Sequence, residues 1–294
     1  MKPDKLPDFF ILGVQKAATS TIHAILEKDS QFSLPYKKET HFFSENYDKK
    51  INWYLNQYNS LSSYIIRGEV DPSYIFYKKA SSNIKKYIDS PKFIIVFRKP
   101  IDRAYSHYLM SKSRGYENYS FNEALLLENE RLSDSNNFSY SHYSYLLRGN
   151  YAEQIMMYKK KFPKSKFLYM KYDDFTNEET KVLFLKKIYD FLDLSFNENL
   201  NITLHKNKSH STKNKFVRDL THTDNFLRDV LKKIIPTEYL RFKILNKIKE
   251  FNQKDIIVKK LNYKDIDQRF IDWNNNQSNL LSKVTYLNTK DWII

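Results

Sequence analysis

Two kinds of apolar pattern alternate along the chain. Short, nearly continuous apolar runs are typical of strands buried on both faces, whereas apolar residues three and four positions apart are typical of amphipathic helices. The runs predict four strands, over residues 7–14, 64–70, 91–98 and 166–172. The helical spacings predict helices over residues 22–26, 51–58, 78–88, 101–110, 121–129, 149–161, 178–192, 225–234, 238–249 and 265–283.

The order of these elements determines the expected fold class. Strands that alternate with helices form a parallel sheet with helices on both faces, so we expect a three-layer α/β/α domain. We expect residues 134–144 to form a loop and residues 197–214 a polar, basic connection. No internal repeat interrupts the pattern. One domain over 1–294 is therefore predicted, with an α/β core at about 1–195 and a basic loop and helical C-terminal part at about 196–294.

The segment between the first strand and the first helix carries the clearest candidate chemistry. Residues 15–21 combine Lys16 with three hydroxyls, at Thr19, Ser20 and Thr21. A strand that turns directly into a helix directs unpaired N–H groups and the positive helix end at one point, which favours an anion. The spacing after Gly13 differs from the GxxxxGK[ST] pattern of nucleotide-binding P-loops, although the predicted fold is P-loop-like.

The composition of the chain limits which binding partners and which cellular compartment are expected. Lys and Arg number 49 against 34 Asp and Glu, a formal net charge of +15, which favours anionic partners. The absence of cysteine excludes disulfides, cysteine nucleophiles and thiolate metal sites. No signal pattern or apolar run of about 20 residues is visible, so we expect a cytoplasmic protein with no transmembrane segment.

Further polar residues follow the predicted strands at the same edge of the sheet. In open parallel sheets, ligands bind beyond the carboxyl ends of the strands. Asp71 and Tyr74 follow the second strand, Arg98 ends the third, and Ser106 lies two turns into the next helix. An anion-binding loop with a separate Arg/Ser pair suggests a ligand that has two phosphate-like ends.

Five blocks together carry a resemblance to a known family. Residues 13–21 resemble the 5′-phosphosulfate loop of sulfotransferases that use 3′-phosphoadenosine 5′-phosphosulfate (PAPS). Residues 38–43 and 68–74 are similar to segments of the heparan glucosaminyl branch, and 97–106 resemble the family's 3′-phosphate block. The tail at 287–292 also looks like the end of that family. The blocks occur in the family's order and span most of the chain, which makes the signal specific.

The resemblance implies a cofactor and a set of site residues. PAPS would be the donor and 3′-phosphoadenosine 5′-phosphate (PAP) the product, with no metal. Lys16, Glu39 and His41 would be catalytic, with Glu39 as the general base and His41 as a second candidate base or orienting group. The cofactor would contact Lys16, Ala17, Ala18, Thr19, Ser20, Thr21, Arg98, Ser106, Lys208 and Ser209. The acceptor would contact Asp71, Tyr74, His142 and Arg148.

Two positions depart from the family pattern. Ala18 stands where the family usually has glycine. Alanine fits this position without strain only if the φ angle of the residue is negative. Val70 stands where heparan-acting members often carry a lysine that assists the base. A carbohydrate or lipid-linked acceptor is expected, sulfated on a hydroxyl or an amine, and a phenol or alcohol stays open.

Two alternatives of other classes stay open. A nucleotide kinase would need magnesium, so EDTA would abolish its activity. A non-catalytic basic binder of glycans or nucleic acids would have no tight site for PAP, although no nucleic-acid motif is present and we expect no such partner. The abundance of Lys, Asn, Ile and Tyr suggests a bacterial or phage protein, and no pattern bears on the oligomeric state.

Overall fold

A computed structural model describes residues 6–58, 65–134, 136–200, 202, 209–212, 234–235, 237–256 and 260–294. The strands in this part of the chain are β1 (Phe9–Gly13), β2 (Phe32–Ser33), β3 (Ile66–Val70), β4 (Lys92–Phe97), β5 (Phe167–Lys171), β6 (Ser209–Thr212) and β7 (Gln253–Ile256). The helices are α1 (Thr19–Leu26), α2 (Lys50–Leu55), α3 (Lys78–Lys85), α4 (Pro100–Ser113), α5 (Phe121–Leu126), α6 (Glu128–Leu132), α7 (Asn137–His142), α8 (Tyr151–Lys161), α9 (Tyr172–Thr176), α10 (Lys181–Phe191), α11 (Glu238–Phe251) and α12 (Gln268–Thr285).

The central sheet is parallel and has the order β2-β3-β1-β4-β5. Phe9 of β1 pairs with Gly68 of β3 on one side and with Lys92 of β4 on the other. The four strands predicted from the apolar runs are therefore confirmed, as is the α/β class. A two-residue strand, β2, adds to the edge of the sheet, and it is too short to produce a recognisable apolar pattern.

Aromatic side chains fill the space between the sheet and the helices. Phe9, Phe10, Phe42 and Phe43 are each fully buried. The ring of Phe43 meets Phe10 edge-on at 5.8 Å, and the ring of Phe42 stacks on Tyr54 at 4.8 Å between centroids. Because Phe42 and Phe43 follow His41 directly, their burial anchors the predicted catalytic segment against the sheet.

Several predicted elements need correction. The loop expected at 134–144 contains α7, because the side chain of Asn136 accepts a hydrogen bond from the Ser139 N–H and caps the helix. The single helix expected at 121–129 is two helices, α5 and α6. The connection expected at 197–214 includes β6, which pairs antiparallel with β7. The helix predicted at 225–234 lies outside the described residues except for Ile234.

The C-terminal helix is attached to the α/β core. Asn274 of α12 accepts a hydrogen bond at 3.2 Å from the N–H of Ile101, in the first turn of α4. Near the end of the chain, the indole N–H of Trp292 donates to Asp173 Oδ2 at 2.9 Å. The last residues therefore brace the helices that border the carboxyl end of the sheet. In the part of the chain described by the structure, no helix has the length and apolar character required to span a bilayer.

Candidate active site

A cleft of about 900 Å³ opens at the carboxyl ends of β1, β3 and β4. Its size lies near the top of the range of about 300–1,000 Å³ that is usual for small-molecule sites. The cleft brings together many of the residues predicted from the sequence, namely Lys16, Ala18, Thr19, Ser20, Thr21, Glu39, His41, Arg98, Ser106, His142 and Arg148. It also contains residues that the sequence reasoning missed, among them Glu45, Met110, Arg114, Tyr172 and Glu178.

The loop between β1 and α1 presents an uncapped helix end to the cleft. Helix α1 begins at Thr19, and no side chain makes a capping hydrogen bond at its N-terminus. No acidic residue occupies its first turn. The first N–H groups of a helix have no partner within the helix. In α1 the N–H groups of Thr21 and Ile22 already bond to the Ala18 carbonyl at 2.9 and 3.1 Å, so a ligand would meet the helix end ahead of them, where the helix dipole favours negative charge.

The backbone at the site is unusual in its conformation. Four non-glycine residues at the cleft have positive φ: Lys16 at 74°, Ala18 at 60°, Glu39 at 61° and His41 at 51°. Such conformations cost free energy for residues with a Cβ, and they concentrate at functional sites. The positive φ of Ala18 explains why the family pattern has glycine at this position.

The strain at Ala18 leads to a prediction about stability. The left-handed conformation costs an alanine about 1–2 kcal/mol, and glycine adopts it freely. Glycine also raises the entropy of the unfolded chain, which offsets about 0.4–1 kcal/mol of the relief. We expect Ala18→Gly to raise the free energy of unfolding by up to about 1 kcal/mol, measured by urea denaturation.

Ala24, exposed within α1, provides the control for this prediction. There glycine meets ordinary helical geometry, so Ala24→Gly is expected to lower the free energy of unfolding by about 1 kcal/mol. Equal losses in the two variants would mean that position 18 carries no backbone strain.

Lys16 lies between other cationic groups at the bottom of the cleft. Its Nζ is 3.8 Å from Met110 Sδ, and its backbone carbonyl accepts a 3.1 Å hydrogen bond from Arg98 Nη1. Burial, together with the charges of Arg114 and Arg98, lowers the pKa of Lys16 to about 8, although Glu39 opposes this shift. Desolvated cations held together in this way are stabilised by a bound anion.

Arg98 and Ser106 form the second group predicted to bind a phosphate. The guanidinium of Arg98 lies over the ring of Tyr172 at 4.6 Å, and its carbonyl accepts a 2.9 Å hydrogen bond from the Tyr151 hydroxyl. Ser106 lies on α4 and lines the same cleft. The fixed guanidinium and the hydroxyl suit a second anionic group, separate from the one at the α1 N-terminus.

His41 is held by a buried carboxylate. Asp71 accepts from the His41 backbone N–H at 2.8 Å, and its carboxylate lies 2.9 Å from Nδ1 of the ring. Burial lowers the pKa of His41, but Asp71 outweighs this, and Glu39 and Glu45 add to it, so that the pKa rises to about 9. The imidazole is therefore a cation at neutral pH, which makes it a poor general base and a source of positive charge.

Glu39 is the carboxylate that faces the cleft. Its side chain is 31% exposed, it pairs with Lys38, and its Oε2 lies 3.9 Å from His41 Nε2. Burial raises the pKa of Glu39, but Lys38, His41 and Arg114 outweigh burial and hold it below the usual value. Glu39 is thus ionised at neutral pH and able to accept a proton.

Arg148 also lines the cleft. It is almost fully buried, its Nε donates to Ser144 Oγ at 2.9 Å, and its guanidinium lies 4.0 Å from the ring centre of Phe76. Within the described part of the chain, its Nη1 meets no hydrogen-bond acceptor. An arginine held in this way suits an anionic group in the cleft. His142 lies nearby, with its ring 4.5 Å from that of Phe138.

Three of the other sequence-predicted residues, Ala17, Asp71 and Tyr74, are buried and do not line the cleft. Ala17 and Tyr74 are fully buried, and the Tyr74 hydroxyl donates to Glu69 within the protein. Asp71 is also fully buried and acts through His41. Lys208 lies outside the described residues, and Ser209 is described only as the first residue of β6.

The arrangement of the cleft agrees with comparisons to known proteins. The sequence model of the sulfotransferase domain family matches residues 6–262 of this chain. The chain belongs to this sulfotransferase family. Its fold is also similar to the crystal structure of a sulfotransferase from Alicyclobacillus acidocaldarius, with a TM-score of 0.61 and 23% identity over 81% of this chain and 99% of that one.

Curated relatives of this chain include proteins that are named for heparan sulfate modification. The mouse heparan sulfate glucosamine 3-O-sulfotransferase 3B1 is 27% identical over 192 residues, which are 65% of this chain and 47% of that protein. The human bifunctional heparan sulfate N-deacetylase/N-sulfotransferase 2 is 31% identical over 144 residues, 42% of this chain and 15% of that protein. The chain thus spans less than half the length of these two relatives.

Proposed function

We propose that this protein transfers a sulfuryl group from PAPS to an acceptor, most simply a hydroxyl of a carbohydrate. The observation that carries the proposal is the placement of Lys16, Arg98 and the uncapped α1 N-terminus on one cleft with the ionised Glu39. The positive groups suit a bisphosphorylated nucleotide, and the carboxylate suits an acceptor that must lose a proton.

Each group has a definite task in such a transfer. Bound PAPS supplies the sulfuryl group, and its bond to the 5′-phosphate breaks as the bond to the acceptor oxygen forms. Glu39 accepts the proton that the acceptor hydroxyl loses. Lys16 and the first N–H groups of α1 stabilise the negative charge that grows on the 5′-phosphate. The His41 cation lies beside Glu39 and orients its carboxylate.

The 3′-phosphate provides the test of the cofactor proposal. PAP is expected to bind more tightly than adenosine 5′-phosphosulfate, which lacks the 3′-phosphate, because only PAP engages Arg98 and Ser106. Removal of one charged hydrogen-bond partner costs about 1.5–3 kcal/mol. Arg98→Ala should therefore weaken PAP by that amount in calorimetric titrations and leave adenosine 5′-phosphosulfate nearly unchanged.

Arg269 offers a matched control, since it is exposed and pairs with Asp267 on the surface of α12. Arg269→Ala should leave both affinities unchanged. Equal affinity of the wild-type protein for the two nucleotides would remove the assignment of Arg98 and Ser106. Failure of both nucleotides to bind would count against the PAPS proposal as a whole.

The acceptor is proposed to be an acidic carbohydrate. The names of the curated relatives refer to heparan sulfate, and the buried Arg148 beside the cleft suits a carboxylate or sulfate on a neighbouring sugar. A lipid-linked acidic sugar has the same chemistry at this point, so heparosan and an acidic lipid-linked oligosaccharide should both be assayed.

Arg148→Lys keeps the charge and removes the planar fork. With saturating labelled PAPS, we expect the wild-type protein to sulfate heparosan in preference to neutral dextran. The variant should raise the KM for heparosan by roughly tenfold or more, since a hydrogen bond to a charged group contributes about 1.5–3 kcal/mol. An unchanged KM, or a wild-type preference for dextran, would contradict the role of Arg148.

A further inference from the structure

Glu69 is a buried carboxylate next to the base, and its partners are unusual. It lies in β3 and is fully buried. Its Oε1 accepts from the Thr40 hydroxyl at 2.5 Å and from the Thr40 backbone N–H at 3.3 Å. Its Oε2 accepts from the Tyr54 hydroxyl at 2.7 Å, and the Tyr74 hydroxyl lies 3.1 Å from both oxygens.

Thr40 occupies the position between the two reactive residues of the cleft. It is fully buried, whereas Glu39 and His41 on either side of it border the cleft and have positive φ. Two residues after Glu69, Asp71 holds His41 through the backbone N–H and the ring. Two carboxylates at the end of β3 therefore hold two successive residues of the loop that carries Glu39.

Burying a carboxylate this deeply costs free energy, so its presence calls for an explanation. Burial and the charge of Asp71 raise the pKa of Glu69 to about 7, against the hydrogen bonds from Thr40, Tyr54 and Tyr74. An apolar side chain of similar size would fill the space under the sheet without that cost. An apolar side chain could not accept hydrogen bonds from the hydroxyl and the N–H of Thr40. Those two bonds fix the backbone next to Glu39 and His41, whose φ angles are positive and unfavourable.

We propose that Glu69 is a positioning residue for sulfuryl transfer, which holds Thr40 so that the carboxylate of Glu39 stays directed at the acceptor. The inference rests on the proposed function, because it assumes that Glu39 is the base. Glu69 touches neither the cleft nor the nucleotide, so its effect is on the rate of the chemical step and not on nucleotide binding.

The test compares three variants that change the same network at different points. Glu69→Gln and Thr40→Val disturb the contact with the loop. Tyr54→Phe removes one bond to the opposite oxygen of Glu69 and spares the loop. We expect kcat to fall by roughly tenfold to a hundredfold in the first two, since a misplacement of about 1 Å can cost a hundredfold, with the Kd for PAP within twofold of the wild type. Tyr54→Phe should lower Tm and keep kcat within about threefold.

Three further measurements separate positioning from general stability. Amide hydrogen exchange at 39–43 in the free protein should be faster in Glu69→Gln than in the wild type and unchanged in Tyr54→Phe. The Glu69→Gln/Thr40→Val double variant should be no slower than the worse single variant, because both act through one contact. Thr40→Ser keeps the hydroxyl and should restore most of the kcat lost in Thr40→Val.

The proposal is overturned if Glu69→Gln retains wild-type kcat, if Tyr54→Phe loses as much kcat as Glu69→Gln, or if the two loop variants add independently. If Glu69→Gln does not fold, the comparison of Thr40→Val with Thr40→Ser decides, and equal kcat in the two overturns it. Failure of the wild-type protein to transfer sulfate from PAPS to any acceptor would instead refute the proposed function.

Discussion

The Glu39→Gln variant is expected to bind PAP as tightly as the wild-type protein and to sulfate its acceptor about 10²–10⁴-fold more slowly, the usual effect of a lost general base. Glutamine keeps the shape of the side chain and cannot accept the proton. Glu39 lies at the surface of the cleft, and it pairs with Lys38 and His41 and not with the proposed phosphate-binding groups. Calorimetric titration with PAP and initial rates of sulfation, on the same preparations, provide the measurements.

Another carboxylate in the same cleft supplies the control. Glu178 also lines the cleft, but it pairs with Lys181 near the first turn of α10. Glu178→Gln should keep turnover within a few-fold of the wild type. If Glu39→Gln sulfates at near wild-type rate, Glu39 is not the base. His41 would then be the next residue to test, although its raised pKa leaves it protonated below about pH 9.

The Lys16→Ala variant is expected to lose more in turnover than in nucleotide affinity. The charge of Lys16 matters most when the bond to the 5′-phosphate breaks and negative charge grows on the bridging oxygen. Loss of one such electrostatic contact lowers turnover by about 10²–10³-fold in comparable sites. Turnover at saturating PAPS and the Kd for PAP should be measured together. A loss confined to Kd would make Lys16 a phosphate anchor with no catalytic role.

The lowered pKa of Lys16 predicts that PAP binding, measured without an acceptor, depends on pH. In the free protein Lys16 loses its proton as the pH rises through about 8, while a bound 5′-phosphate, already dianionic there, keeps it protonated. PAP affinity is therefore full below pH 8 and falls above it, by up to about tenfold per pH unit. Lys16→Arg stays charged and should remove this dependence, as should Lys16→Ala. If the Kd of the wild-type protein for PAP is constant from pH 7 to 9.5, the predicted contribution of the Lys16 charge is wrong.

The amino-acid sequence alone determined the class of the fold and predicted most of the residues that share the cleft. Apolar runs bounded by polar turns predicted four strands of the sheet, because strands buried on both faces must be continuously apolar. The loop at 15–21 followed from the strand-to-helix change and from one lysine among hydroxyls. The elements that have no clear apolar pattern were missed. Strand β2 is only two residues long, and α7 has a polar sequence and begins at an N-cap, Asn136.

Which of the side chains near the strand ends reach the cleft was decided by the tertiary structure. The rule for strand ends places Asp71 and Tyr74 near a ligand, but it does not say which way each side chain points. The segment at 38–43 folds over both residues, so Asp71 meets His41 and Tyr74 meets Glu69 below the cleft. The pKa values of Lys16 and His41 likewise depend on charges that are distant in sequence, because only packing brings Arg114 to Lys16 and Asp71 to His41.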